Sequence, residues 1–305
     1  MRLHRKIKKI FGFLLLLVLL FGIICAVYLW MWDQKKQNLP VVDAEYGNEL
    51  RPIGDDLLFL LAGVDHLGAD EPTRTDTLML VRLNFADGKI SILSVPRDTL
   101  CMVAGEPDKI NHAHAYGGMP LTLSTLRSFL NLDIDYYVEM NYEAVKAVVD
   151  AGGGVQYTVP EGVSSLYDGL HLHSGDQHMN GEQALAYLRH RESYDMGDLG
   201  RVAAQQAFLQ AILKQLLSPW NFYRYPMMGK AMIDHCETNI PALKNIGLLF
   251  KLGKLRLDQT DMRVLPGEGA MIDDISYYLP YEEEVDTVVD ELFAPYRISS
   301  EAWGE

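Results

Sequence analysis

The chain has 305 residues, 49% of them hydrophobic and 22% charged, which excludes a disordered or fibrous protein and leaves room for a sizeable core. Residues 1–36 hold seven Lys and Arg against one acid, so the remainder carries 20 against 40, a formal −20 that repels nucleic acid. Three cysteines without zinc-type spacing exclude a disulfide scaffold: Cys25 lies in an apolar run, and Cys101 and Cys236 read as two buried thiols rather than one disulfide.

Residues 1–9 form a basic tail with Arg2, Arg5, Lys6, Lys8 and Lys9, too short to fold as a DNA reader. Residues 11–31, FGFLLLLVLLFGIICAVYLWM, hold no charge. As a helix they would rise roughly 31 Å, close to the ~30 Å hydrocarbon thickness of a bilayer. Trp30 and Trp32 stand at one end, as an interfacial aromatic belt would. Five cations before the run and only Lys35 and Lys36 after it put the N-terminus inside and the rest outside. No small-x-small cleavage site marks a signal peptide. The spacing therefore predicts a transmembrane helix over 10–32 and an extracellular tether over 33–55 with Pro40, Gly47, Pro52 and Gly54. A folded domain over 56–295 and a short tail over 296–305 follow.

Residues 57–64, LLFLLAGV, are apolar without alternation, as in a strand buried on both faces. Two further runs, 77–85 and 89–95, flank Asp87-Gly88 and predict a hairpin. Pro96 stops the second strand, which puts Arg97 and Asp98 at its carboxyl end. Beyond it the pattern predicts a helix over 120–130, a strand over 134–140, and a helix over 142–150 stopped by Gly152-Gly153-Gly154. A strand over 155–159, helices over 181–188 and 199–217, a strand over 262–265 and a closing helix over 281–292 complete the reading. This mixture predicts an α/β domain, a central mixed sheet with helices on both faces. In such sheets ligands sit outside the carboxyl ends of strands, where Asp65, Arg97 and Asp98 fall.

The segment YLRHRESYDMGDLGRVAAQQ (187–206) concentrates Arg189, Arg191 and Arg201 in an acidic chain. Arg201 and Gln205 are four apart and share a helix face. Arg189 and Arg191 point the same way only if the segment is extended. Each arginine could be a surface charge neutralised by Glu192, Asp195 or Asp198. If they converge with Arg74, Arg97 and Lys109, an anion must compensate them, and the arginine fork suits phosphate. Asp65 and Asp76 could then hold magnesium, which takes one or two carboxylates plus phosphate oxygens. The HxH-x4-H pattern of His171, His173 and His178 reads as a surface loop or hairpin rather than a metal site.

Five blocks carry a resemblance: RTDTLMLVRLN (74–84), SVPRDT (94–99), KINHAHAYGG (109–118), IDYYVEMNYEAVKAVVDAGGGV (134–155) and ALAYLRHRESYDMGDLGRVAAQQ (184–206). Their residues and order resemble the LytR-CpsA-Psr family from about 56 to about 292. The resemblance implies a membrane-anchored phosphotransferase outside a bacterial cell. It would move a glycopolymer (teichoic acid, capsule or similar) from a polyprenyl-pyrophosphate carrier to peptidoglycan, with magnesium, the lipid tail lying in an apolar channel between sheet and helices. By position, Asp65 and Asp76 match the metal-associated aspartates. Arg74, Arg97, Lys109, Arg189, Arg191, Arg201 and Gln205 match pyrophosphate-binding residues, and of these Arg74, Arg97 and Arg191, with Asp98, match positions expected to act in catalysis. Asp98 and Asp198 match positions expected to orient arginines. His112 and His114 replace residues that are usually small or aromatic in their block. A lipid-pyrophosphate hydrolase and an anchored, non-enzymatic envelope regulator are the rival readings.

Overall fold

Six strands form one mixed sheet. The computed structural model describes residues 50–64, 73–160, 165–167, 170–189, 198–216, 219–240 and 251–298. The predicted transmembrane helix lies outside these residues, and no helix among them is long and apolar enough to cross a membrane.

Strands β1 (Asp56–Val64), β2 (Thr75–Asn84) and β3 (Lys89–Val95) form an antiparallel meander. Its second turn is the predicted Asp-Gly turn. Gly88 there has φ +73°, and a Cβ would meet the Lys254 carbonyl at 2.7 Å, so both conformation and space require glycine. β6 (Tyr136–Met140) joins β1 in parallel, and β12 (Thr260–Val264) joins β3 in parallel. β11 (Cys236–Thr238) closes the far edge, antiparallel to β6.

The unbroken apolar runs of these strands are explained by two covered faces. Leu58, Leu60, Ala62, Leu78, Leu80 and Leu93 pack on one face against α1 (His112–Leu130) and α6 (Glu282–Phe293). Leu57, Met79, Val81, Leu83 and Ile92 pack on the other against Leu209 and Leu213 of α4 (Asp198–Leu216). A separate cluster joins α2 (Tyr142–Ala151), α3 (Gly181–Arg189), α4 and the hairpin of β7 (Val155–Val159) and β10 (Gly175–Met179). A small hairpin of β8 (Ser165–Tyr167) and β9 (Leu170–Leu172) lies between β7 and β10 in sequence.

Several elements depart from the sequence expectations, the edge strand β11 among them. The predicted helix over 120–130 begins eight residues earlier, at His112. Gly117 and Gly118 interrupt it with non-helical dihedrals, and the regular stretch resumes near Pro120. Hairpins β4 (Leu100–Val103) with β5 (Glu106–Lys109), and β13 (Gly267–Ile272) with β14 (Ile275–Pro280), have no sequence counterpart. Nor has α5 (Tyr225–His235). The folded body also reaches beyond 56–295. Tyr136 donates to the Arg51 carbonyl at 2.7 Å, and Arg297 reaches Asp290 at 2.6 Å and the Leu130 carbonyl at 3.0 Å. Cys101 and Cys236 are buried in different clusters and do not form a disulfide. His178 contacts the Gly153 carbonyl at 2.8 Å as part of the β7–β10 hairpin, the expected structural role.

Candidate active site

Strand directions bring the ends of four strands to one edge of the sheet. Val64 pairs with Thr75, Leu78 with Val95, and Gly63 with Met140. The carboxyl ends of β1, β3 and β6 therefore meet the start of β2, which carries Asp76. Pro96 ends β3, and the Thr99 amide and hydroxyl both donate to its carbonyl, at 3.0 and 2.6 Å. This tight turn projects Arg97 and Asp98 from the edge.

Here the charges link in a row. Arg97 Nη1 donates to Asp76 Oδ1 at 2.6 Å, and Arg97 Nε lies 3.7 Å from Asp98 Oδ2. Asp98 Oδ1 in turn accepts from Lys109 Nζ at 2.9 Å. Lys109 Nζ also lies 5.5 Å from the centre of the Tyr277 ring on β14, a cation–π contact. The β13–β14 hairpin is tied here because the Tyr278 amide donates to the Asp98 carbonyl at 2.9 Å. Arg97 and Lys109 are thus compensated by two aspartates, rather than left as bare cations awaiting an anion. Arg74 adds an exposed cation near Tyr116, whose phenol is nonetheless pushed up by its hydrogen bond to Asp108, with burial and the Asp108 charge, against the weaker opposite pull of Arg74.

Behind the row lies a cavity of about 170 Å³ between β1, α2, α3 and α4. Asp76, Thr77, Asn141, Arg189 and Gln205 supply its polar lining. Leu61, Val64, Met79, Val145, Val148, Leu188, Phe208 and Ile212 are among its apolar walls. Asn141 is held in place because it caps α2, its side chain accepting from the Ala144 amide at 2.8 Å. Arg189 ends α3 with its guanidinium 4.7 Å from the Tyr142 ring centre. The compartment thus sets a few polar groups beside mostly apolar walls.

The structure brings Asp76, Arg97, Asp98, Lys109, Arg189 and Gln205 to this region. Asp65 and Arg191 lie outside the described residues, so the shared orientation expected of Arg189 and Arg191 does too. The backbone of Arg201 lies on α4 one turn before Gln205. Sequence reasoning missed Thr77, Asn141 and Tyr277. Thr77 and Asn141 lie inside the family blocks but carry no charge to single them out, Tyr277 lies in no block, and they reach the site through strand register, a helix cap and hairpin placement.

Beside the site, burial pushes the Asp108 carboxyl up. Hydrogen bonds from His112, the Lys109 amide and Tyr116 outweigh burial and hold it below its ordinary range. Burial, with Asp108 nearby, pushes the Cys101 thiol up to about 12, which makes it an inert core group. Among the described residues no three His, Cys, Asp or Glu side chains gather as a metal cage. The one described carboxylate on the cavity, Asp76, suits a hard divalent ion that draws its other oxygens from a ligand's phosphates and water.

The chain matches the LytR_cpsA_psr family over residues 33–294. It belongs to that family. A teichoic acid transferase of Bacillus anthracis (strain CDC 684 / NRRL 3495), named polyisoprenyl-teichoic acid--peptidoglycan teichoic acid transferase TagU, is 35% identical over 222 residues, 72% of each chain. TagU of Bacillus subtilis (strain 168) is 31% identical over 242 residues, covering 78% of this chain and 77% of that one. Among solved structures, TagT bound to LI-WTA superposes with a TM-score of 0.69 at 28% identity, over 85% of this LytR_cpsA_psr chain and 98% of that one. Crystalline B. subtilis TagV gives 0.70 at 27% identity, over 79% and 98%.

Proposed function

We propose that this LytR_cpsA_psr protein is a phosphotransferase that moves a glycopolymer from a polyprenyl-pyrophosphate carrier to a peptidoglycan hydroxyl, forming a phosphodiester. The observation that carries the reading is one cavity with two characters. Its polar lining includes Asp76, which is tied through Arg97 and Asp98 to Lys109, while most of its walls are hydrocarbon. The curated relatives carry the name of that transfer.

In this reading the prenyl tail occupies the apolar walls and the pyrophosphate lies along the row of charges. Arg97 exchanges part of its contact with Asp76 for phosphate oxygens, while Asp98 keeps Arg97 and Lys109 aimed. Arg74, Arg189, Arg191, Arg201 and Gln205 add donors around the head group. As the peptidoglycan hydroxyl attacks the phosphorus that bears the glycopolymer, the bond to the lipid phosphate breaks. Fixed cations stabilise the charge that gathers on that leaving group. Asp76, with Asp65, would hold magnesium, which when bound neutralises pyrophosphate oxygens. The apolar run at 11–31 anchors the chain with its N-terminus in the cytoplasm, so that the domain works outside the cell against the membrane that supplies the carrier.

The test is product analysis with purified protein, a polyprenyl-pyrophosphate-linked glycopolymer, peptidoglycan and magnesium. The expected product is glycopolymer joined to peptidoglycan through a phosphodiester, with release of polyprenyl phosphate. Glycopolymer phosphate released only into water would replace this reading with the hydrolase. Donor binding without turnover would replace it with a binding module.

A further inference from the structure

His114, in the first turn of α1, is gripped from both ends of its ring. Nδ1 lies 2.8 Å from the carbonyl oxygen of Thr73, and Nε2 lies 3.1 Å from Glu139 Oε1. Both partners are acceptors. A neutral imidazole carries one N–H and satisfies only one of them, whereas an imidazolium carries two and satisfies both. The pair is secluded, with each side chain 9% exposed, so water does not replace a lost contact.

The two partners belong to different parts of the fold. Glu139 stands on β6, across from Ala62 of β1 on one side and Glu237 of β11 on the other. Thr73 immediately precedes Arg74, Thr75 and Asp76, and its own side chain is buried. His114 therefore fastens the segment that delivers Arg74 and Asp76 to both a helix and β6, the strand next to the sheet's β11 edge.

We propose that His114 is a positioning residue: as an imidazolium joining Thr73 to Glu139, it sets where Arg74 and Asp76 stand at the sheet edge. The assignment rests on the reading of that edge as the transfer site. The acids around the ring are Glu139 on β6 and Glu237 on β11, like charges directly opposite one another that a cation relieves. On its own helix, His112 and Tyr116 turn to Asp108 instead. Burial disfavours the charged ring, but Glu139, the Thr73 carbonyl and Glu237 together outweigh it and raise the imidazole above its ordinary 6.5. A raised value means the double bridge is complete below pH 6.5 and is lost as pH climbs through the folded-state value. One pH unit above that value the cation is about tenfold scarcer than the neutral ring.

The test follows the imidazole signals of His114 and the amide signals of Arg74–Asp76 by NMR between pH 5.5 and 9. It uses the full chain and the variants His114→Gln and His114→Gln/Glu139→Gln, with transfer rates over the same range. The double variant removes the buried carboxylate with the cation and serves if the single one does not fold. His114 should carry two ring protons at low pH and titrate above 6.5, and the Arg74–Asp76 amides should shift with the same midpoint. Transfer should fall on that alkaline limb in the wild type. The glutamine variants should lack the limb and be on the order of 10- to 100-fold slower at pH 6, the size expected when reacting groups are slightly misplaced. A ring that titrates at or below 6.5, or amide signals that ignore its titration, would overturn the role. Absence of transfer in every sample would instead sink the transferase reading, while the NMR titration still decides the positioning role.

Discussion

Arg97 is the hinge of the charged row, since it touches Asp76 on one side and Asp98 on the other. Its fork can turn toward phosphate without leaving the site, which a lysine's single ammonium does not reproduce. Arg97→Ala should lower kcat by about 10²–10³-fold, the usual loss when one preorganised charge-stabilising donor is removed. Arg97→Lys should recover only part of it. Asp98→Asn tests a different role, because Asp98 accepts from Lys109 and steadies Arg97. That variant should bind donor with little change yet turn it over more slowly, and unchanged kcat in a steady-state assay would remove Asp98 from the orienting role. Asp76→Ala should lose its magnesium stimulation together with transfer. A titration of rate against magnesium that keeps the wild-type response would remove Asp76 as a ligand.

At the scale of elements, two variants separate the channel from the scaffold. Ile212 of α4 lines the cavity, and Ile212→Trp should plug it. Transfer from a long-chain prenyl donor should drop while a short-chain donor is still used, and equal loss for both would show that the indole disturbs the head-group site. Arg127, near the end of α1, is buried against Asp135 at 2.6 Å and donates to the Ile134 carbonyl at 2.8 Å. Arg127→Met takes the cation from Asp135, leaving it the Arg51 amide at 2.6 Å, and should cost about 3–5 kcal/mol in urea unfolding, with no bearing on donor choice. The elements legible in the sequence were those whose own pattern decides them. The Asp-Gly hairpin, the strand 89–95 and the glycine-stopped helix at 142–151 follow from local rules. β4 and β5 are four residues each, one of them EPDK, and β13 opens GEGA. Such pieces pair because the neighbouring body holds them together, and no local period announces it. The site divides the same way: Pro96 marks Arg97 and Asp98, the family blocks mark Asp76 and Lys109, and His114 with Glu139 meets only through the packing of α1 on β6.

The whole molecule treats the two faces of its sheet unequally. On one, α1 and α6 close over a solid core that includes fully buried Leu60, Leu80, Leu93, Leu123, Leu126 and Val289. On the other, α2, α3 and α4 stand far enough from β1 to leave the cavity of about 170 Å³. A chain of residues 50–298 keeps the contacts of Arg51 and Arg297 and should melt in one cooperative transition. Ending it at 295 removes Arg297 from Asp290 and from the Leu130 carbonyl and should lower the midpoint.

That unequal design has a thermodynamic consequence. On the proposed function, a prenyl tail laid against the apolar walls of this cavity would act as a detachable part of the hydrophobic core. The loaded chain should then resist heat better than the vacant one. At a hundredfold excess of donor over its Kd the gain is about 2.7 kcal/mol, and the melting midpoint should keep climbing with the logarithm of donor concentration. On the same reading the chain would be least durable without its lipid, and a cell short of carrier would hold less of this protein.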